Sequence, residues 1–96
     1  MKSIWKFELP NKPHEPFEIS MPFCSEILDV QLQHKTGQPV MWARVDMAEG
    51  KCSRRFIALW TGQELKESWD NSFYIGTYQT ANGLVWHLFE LFEEGL

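Results

Sequence analysis

The sequence offers two cysteines, Cys24 and Cys52, for cross-linking. Two cysteines do not make a disulfide framework, so packing must hold the fold, and both are expected as reduced, buried or half-buried thiols. No segment approaches the roughly 20 apolar residues of a membrane-spanning helix. The opening MKSIWKFELPNKP lacks the long apolar stretch of a secretion signal, which leads to the expectation of a cytosolic protein with no membrane partner. Basic residues are scarce. Nine Lys and Arg stand against 13 Asp and Glu, for a formal net charge of -4. A generic nucleic-acid binder needs a basic surface to neutralise phosphates and release counterions, so that class is not expected.

Motifs that carry chemistry are also missing. His14, His34 and His87 are far apart in the chain, and neither C-x-x-C nor H-x-x-x-H spacing occurs. There is no G-x-S-x-G elbow, no phosphate-cradling glycine loop and no H-E-x-x-H. Either cysteine would need a histidine base brought to it by the fold, and nothing in the spacing demands that. Most acidic residues occupy outward strand positions or lie near the termini, where solvation explains them. The expectation is therefore a protein with no metal, no cofactor and no catalytic turnover.

What the chain does have is apolar bulk. Of 96 residues, 44% are hydrophobic and 15% aromatic, with five tryptophans. Large aromatic side chains let a small β core hold together. The length suits one domain, taken as residues 1–96. Strand signals recur along it. Trp5, Phe7 and Leu9 alternate with Lys6 and Glu8. Phe17 and Ile19 alternate with Glu18 and Ser20, up to Met21-Pro22. Over residues 26–33, Leu28, Val30 and Leu32 oppose Asp29, Gln31 and Gln33. A turn over 34–39 uses Gly37 and Pro39. A strand over 40–47 follows, and a loop over 48–53 is read as a hairpin leading to a strand over 54–61. A polar excursion from Gly62 to Asn71 has room for one helical turn within 63–69. A strand over 72–79, an Asn82-Gly83 hairpin and a last strand over 84–92 complete the chain, with Glu93, Glu94 and Gly95 as a frayed end.

The fold class is thus all-β (or a β-rich α+β variant), with six to seven short antiparallel strands and one short helical turn. The strands over 54–61 and 84–92 are apolar on both faces, and no long amphipathic helix is available to cover them. A sandwich, a barrel or burial against another copy is required. A homo-oligomer is expected, with the segment from Leu84 to Phe92 or its neighbour in the contact.

The candidate site follows from the arginines. Arg44, Arg54 and Arg55 all flank the expected hairpin over 48–53, and Trp42 and Trp60 share strand faces with Arg44 and Arg54. Arg offers a rigid fork for phosphate, and Trp or Tyr a flat stacking surface, Tyr78 among them. Such a set suits a small phosphate-bearing ligand of nucleotide type. A solvated basic hairpin over core tryptophans is the plainer explanation of the same pattern.

The segments IWKFEL, FEISMP, ILDVQLQ, GQPVMWARVD, YIGTYQ and LVWHLFE resemble a family of small uncharacterised proteins of bacteriophages and prophages. The resemblance spans nearly the whole chain and rests on apolar strands and turns. It implies a phage accessory protein acting in the host bacterial cytoplasm, and supplies no catalytic residue. The expected function is non-enzymatic anti-defence, an oligomeric sponge that sequesters a nucleotide-type immune signal. The alternative is a protein-interaction inhibitor that blocks a host defence or regulatory protein.

Overall fold

Alternating in/out patterns fold here into two antiparallel sheets. The computed structural model describes residues 1–92. Seven strands occur among them: β1 (Lys2–Glu8), β2 (Phe17–Pro22), β3 (Glu26–Leu32), β4 (Pro39–Asp46), β5 (Lys51–Trp60), β6 (Phe73–Gln79) and β7 (Val85–Leu91). One 3-10 turn, Glu67–Trp69, falls inside the excursion where a helical turn is expected. Strands β1-β4-β3 form one sheet and β2-β5-β7-β6 the other, and every pairing is antiparallel. The fold class matches the all-β expectation. The expected frayed end at Glu93–Gly95 lies outside the described residues.

The main core fills the space between the sheets. Met21, Val30, Met41, Phe56 and Leu88 are buried there, with Phe7, Ile27 and Trp86 packed around them. Sheets stacked face to face sit about 10 Å apart, which agrees with a molecule only 17 Å thick along its shortest axis. A second, smaller cluster lies on the outer face of the four-stranded sheet. Ile57 and Leu59 pack there with Trp69, Phe89 and Leu91. The two-faced apolar character of β5 and β7 is met in part within one chain. The sandwich takes one face, and on the other Trp69 from the excursion packs with buried Ile57 and Leu59 while Phe89 and Leu91 stay half-buried.

Three local expectations change. The loop after β4 is not a hairpin, because β4 is already flanked by β1 and β3, and β5 joins the other sheet between β2 and β7. Residues Lys51–Ser53, expected in that loop, are strand and pair with Ser20–Pro22 of β2. Leu28 does not face the core. The β3 register shifts between Ile27 and Asp29, so Ile27 packs against the core and Leu28 is left exposed.

The Asn82-Gly83 hairpin forms where expected. Gly83 N–H donates to the Thr80 carbonyl, and Gly83 takes a φ of 86°, the left-handed conformation glycine adopts freely. Asn82 does not have positive φ, so the turn is a type I turn closed by a left-handed glycine rather than the two-residue form.

Candidate ligand cleft

Three chain connections meet at one end of the sandwich: the loop after β1, the turn before β4 and the β6–β7 hairpin. Between them lies a cleft of about 360 Å³. Ala58, Tyr78 and Trp86 line it from the four-stranded sheet, and Leu9, Pro10 and Pro39 add apolar walls. Asn11, Gln38, Thr80 and Asn82 supply hydrogen-bonding groups, and among the described residues Lys12 is the only cation in the lining. Among the described residues no carboxylate, thiol or imidazole lines it.

The lining is held from behind. Trp86 Nε1 donates to Thr80 Oγ1 at 3.4 Å, and Gln38 Nε2 donates to the Leu9 carbonyl at 2.6 Å, tying the turn to the end of β1. Trp86 also packs on Trp60, with ring centroids 5.6 Å apart. His14 closes this aromatic group, edge-on to Trp60 at 4.1 Å and 5.5 Å from Trp86. Its backbone takes a φ of 65°, and its N–H donates to the Ala58 carbonyl at 3.2 Å. Nδ1 hydrogen-bonds Gln63 Oε1, while Nε2 is sealed from solvent without a partner among the described residues.

Tyr78 differs from these groups. It is buried to 8% exposure, yet no hydrogen bond to its hydroxyl occurs among the described residues. Burial pushes its pKa up to about 12, because ionisation would place a phenolate where water is scarce. The hydroxyl therefore stays protonated at neutral pH and is available as a donor on the cleft wall.

The residues singled out from sequence are divided among several places. Tyr78 lines the cleft, and Trp60 supports Trp86 behind it. Trp42 and Arg44 lie on β4 of the other sheet, on the face opposite the buried Met41 and Ala43. Arg44 Nη1 is 3.4 Å from Glu26 Oε1, both well exposed. Arg54 is committed to Glu90: Nε donates to Oε2 at 2.6 Å and Nη2 to Oε1 at 2.7 Å, while Nη1 donates to the Ser25 carbonyl. These bonds to a buried carboxylate hold the Arg54 proton more firmly than usual. Arg55 is exposed on the outer side, opposite Glu18 of β2. Arg54 and Arg55 share a shallow hollow with Cys24, Cys52, Glu18 and Glu90, where the carboxylates offset the positive charge. The five-residue Trp and Arg cluster is therefore not brought together, because β4 and β5 part into different sheets.

Sequence reading missed Trp86, Lys12, Asn11, Gln38 and Thr80. The loop residues come from connections far apart in the chain, and only the closing of the sandwich unites them. Trp86 had a legible signal, as it directly follows the hairpin beside Tyr78, with which it pairs. Neither cysteine is bridged. Cys52 is half-buried as expected, but Cys24 is exposed, in a turn with φ 63°. His87 is half-buried on the outer face, with Nε2 2.8 Å from Thr61 Oγ1 and Nδ1 3.0 Å from Thr77 Oγ1. Among the described residues no group of three potential metal ligands comes together, and no helix is long and apolar enough to cross a membrane.

Fold and site define a class: a small two-sheet β protein with an aromatic-walled cleft among its end loops. The chain belongs to the family described as Domain of unknown function (DUF7352), whose model matches residues 1–95. No curated protein and no solved structure matches it.

Proposed function

We propose that this protein binds, without turning over, a small planar ligand of nucleobase type in the end cleft. One observation carries the reading: Tyr78 and Trp86 line a cleft, and the Tyr78 hydroxyl has no partner among the described residues. Flat rings stack on such side chains, and polar ring edges need donors and acceptors like those of the Asn11 side chain, the Gln38 side-chain carbonyl and the Asn82 amide NH2. Lys12 suits one phosphate better than a chain of them, and the net charge of -4 disfavours highly anionic ligands. A lining without carboxylate, thiol or imidazole among the described residues supports binding over catalysis. The resemblance to phage proteins supports a setting in the bacterial cytoplasm, where such a binder would act as a sponge for a nucleotide signal of host defence. The groups bearing that load are Trp86, Tyr78 and Lys12, in place of the arginines.

Titration calorimetry with nucleosides, nucleoside monophosphates and cyclic dinucleotides tests this. At least one should bind in the micromolar range. Trp86→Ala should weaken it by about 1–3 kcal/mol through lost stacking. Lys12→Ala should weaken only the phosphate-bearing members. If none binds below about millimolar, the sponge reading fails. The protein-blocking alternative then leads, supported by adjacent Phe73 and Tyr74, 64% and 54% exposed on β6.

A further inference from the structure

Strand β1 ends the three-stranded sheet. β4 pairs with one side of it, and no described strand pairs with the other. The strand is seven residues long, evenly paired throughout, with no bulge, glycine or proline inside it. The other sheet edges are guarded. β3 and β6 carry register shifts, and β2 ends in Pro22. A regular open edge is a template for another strand unless its side chains forbid it.

The outward backbone groups can be identified. Leu9 N–H donates to the Pro39 carbonyl, and the Met1 carbonyl accepts from Met47 N–H. Odd-numbered residues of β1 thus exchange hydrogen bonds with β4, and antiparallel alternation turns the N–H and C=O groups of Lys2, Ile4, Lys6 and Glu8 outward.

We propose that a second copy of this chain adds its β1 to this edge, antiparallel, about a two-fold axis at Trp5, giving one continuous six-stranded sheet. Charge complementarity selects both the occupant and the register. With the axis at Trp5, Lys2 stands opposite the partner's Glu8, and Glu8 opposite the partner's Lys2. Ile4, 61% exposed in one chain, meets the aliphatic stem of the partner's Lys6. The half-buried Trp5 faces the partner's Trp5 in a non-hydrogen-bonded pair, the closer kind. The neighbouring registers are worse. An axis at Ile4 sets Lys2 against the partner's Lys6, and an axis at Lys6 sets that lysine against itself. Only the Trp5 register pairs all seven residues with opposite charges matched. This association is independent of the cleft and of any ligand.

Sedimentation velocity on the full chain tests it. The wild type should dimerise in the micromolar range. Lys2→Glu and Glu8→Lys should each raise the dimer dissociation constant roughly tenfold, because symmetry spoils two pairs per change. The double variant Lys2→Glu/Glu8→Lys should restore it. Ile4→Pro should abolish the dimer and leave the β-sheet circular dichroism intact, since it removes an outward N–H that β4 does not use. A wild type that stays monomeric at high micromolar concentration overturns the proposal. So does a dimer indifferent to the charge changes, or a double variant that fails to recover.

Discussion

The Arg54 guanidinium sits at the rim of the core, with a buried carboxylate on one side and a backbone carbonyl on the other. Its side chain is 22% exposed and that of Glu90 only 8%. Arg44 makes a second arginine ion pair, with Glu26, at 54% and 61% exposure. Water screens the second pair and leaves the first intact. Arg54→Ala should therefore cost about 3–5 kcal/mol, because it strands the Glu90 charge in the core. Arg44→Ala should stay within about 1 kcal/mol of wild type. Urea unfolding of both variants at neutral pH measures the contrast. Equal losses would show that the Arg54–Glu90 pair is solvated.

The seam between β3 and β6 is where the two sheets approach most closely, and a glycine permits it. A Cβ added at Gly76 would lie 2.7 Å from Val30 Cγ1 and 3.6 Å from Asp29 Oδ1. Val30 is buried and β-branched, so it has little room to give way. Both strands carry their register shift at this seam, between Ile27 and Asp29 in β3 and between Tyr74 and Gly76 in β6. The edge is also closed locally: Asp29 Oδ1 accepts from the Val30 N–H at 2.8 Å. Gly76→Ala should destabilise by about 1–3 kcal/mol through overpacking. Thermal melting followed by circular dichroism checks this. An unchanged midpoint would mean that β3 and β6 slide apart freely.

Tyr78 links the whole molecule to alkaline pH. Its folded pKa of about 12 exceeds the ordinary tyrosine value of about 10, so the folded state holds its proton longer. Below about pH 10 both states are protonated, and this contribution to stability is fully present. Between roughly pH 10 and 12 the unfolded chain releases the proton first, and stability falls by up to about 2–3 kcal/mol. Tyr78→Phe should flatten that part of the curve, as read by urea unfolding across the alkaline range. A curve of the same slope in the variant would assign the loss to other groups.

Local pattern determined the strands. Alternation along Lys2–Glu8, Phe17–Pro22 and Pro39–Asp46, the Asn82-Gly83 turn and the short helical turn at Glu67–Trp69 all depend on neighbours within a few residues. The run at Val85–Leu91 resolved as strand for the same reason, since it directly follows a tight turn. Partner choice was decided only by tertiary structure. Two consecutive strands with good period-two patterns can pair as a hairpin or part into different sheets, and the pattern is the same in both cases. Here β1 and β3 occupy both sides of β4, so β5 crossed to the other sheet and separated Arg44 from Arg54 and Arg55. The cleft arose from the same closing of the sandwich. It brought Lys12 and Gln38 to the Tyr78–Trp86 pair; the hairpin joins that pair locally, but Lys12 and Gln38 are too distant in the chain for any local signal to place beside it.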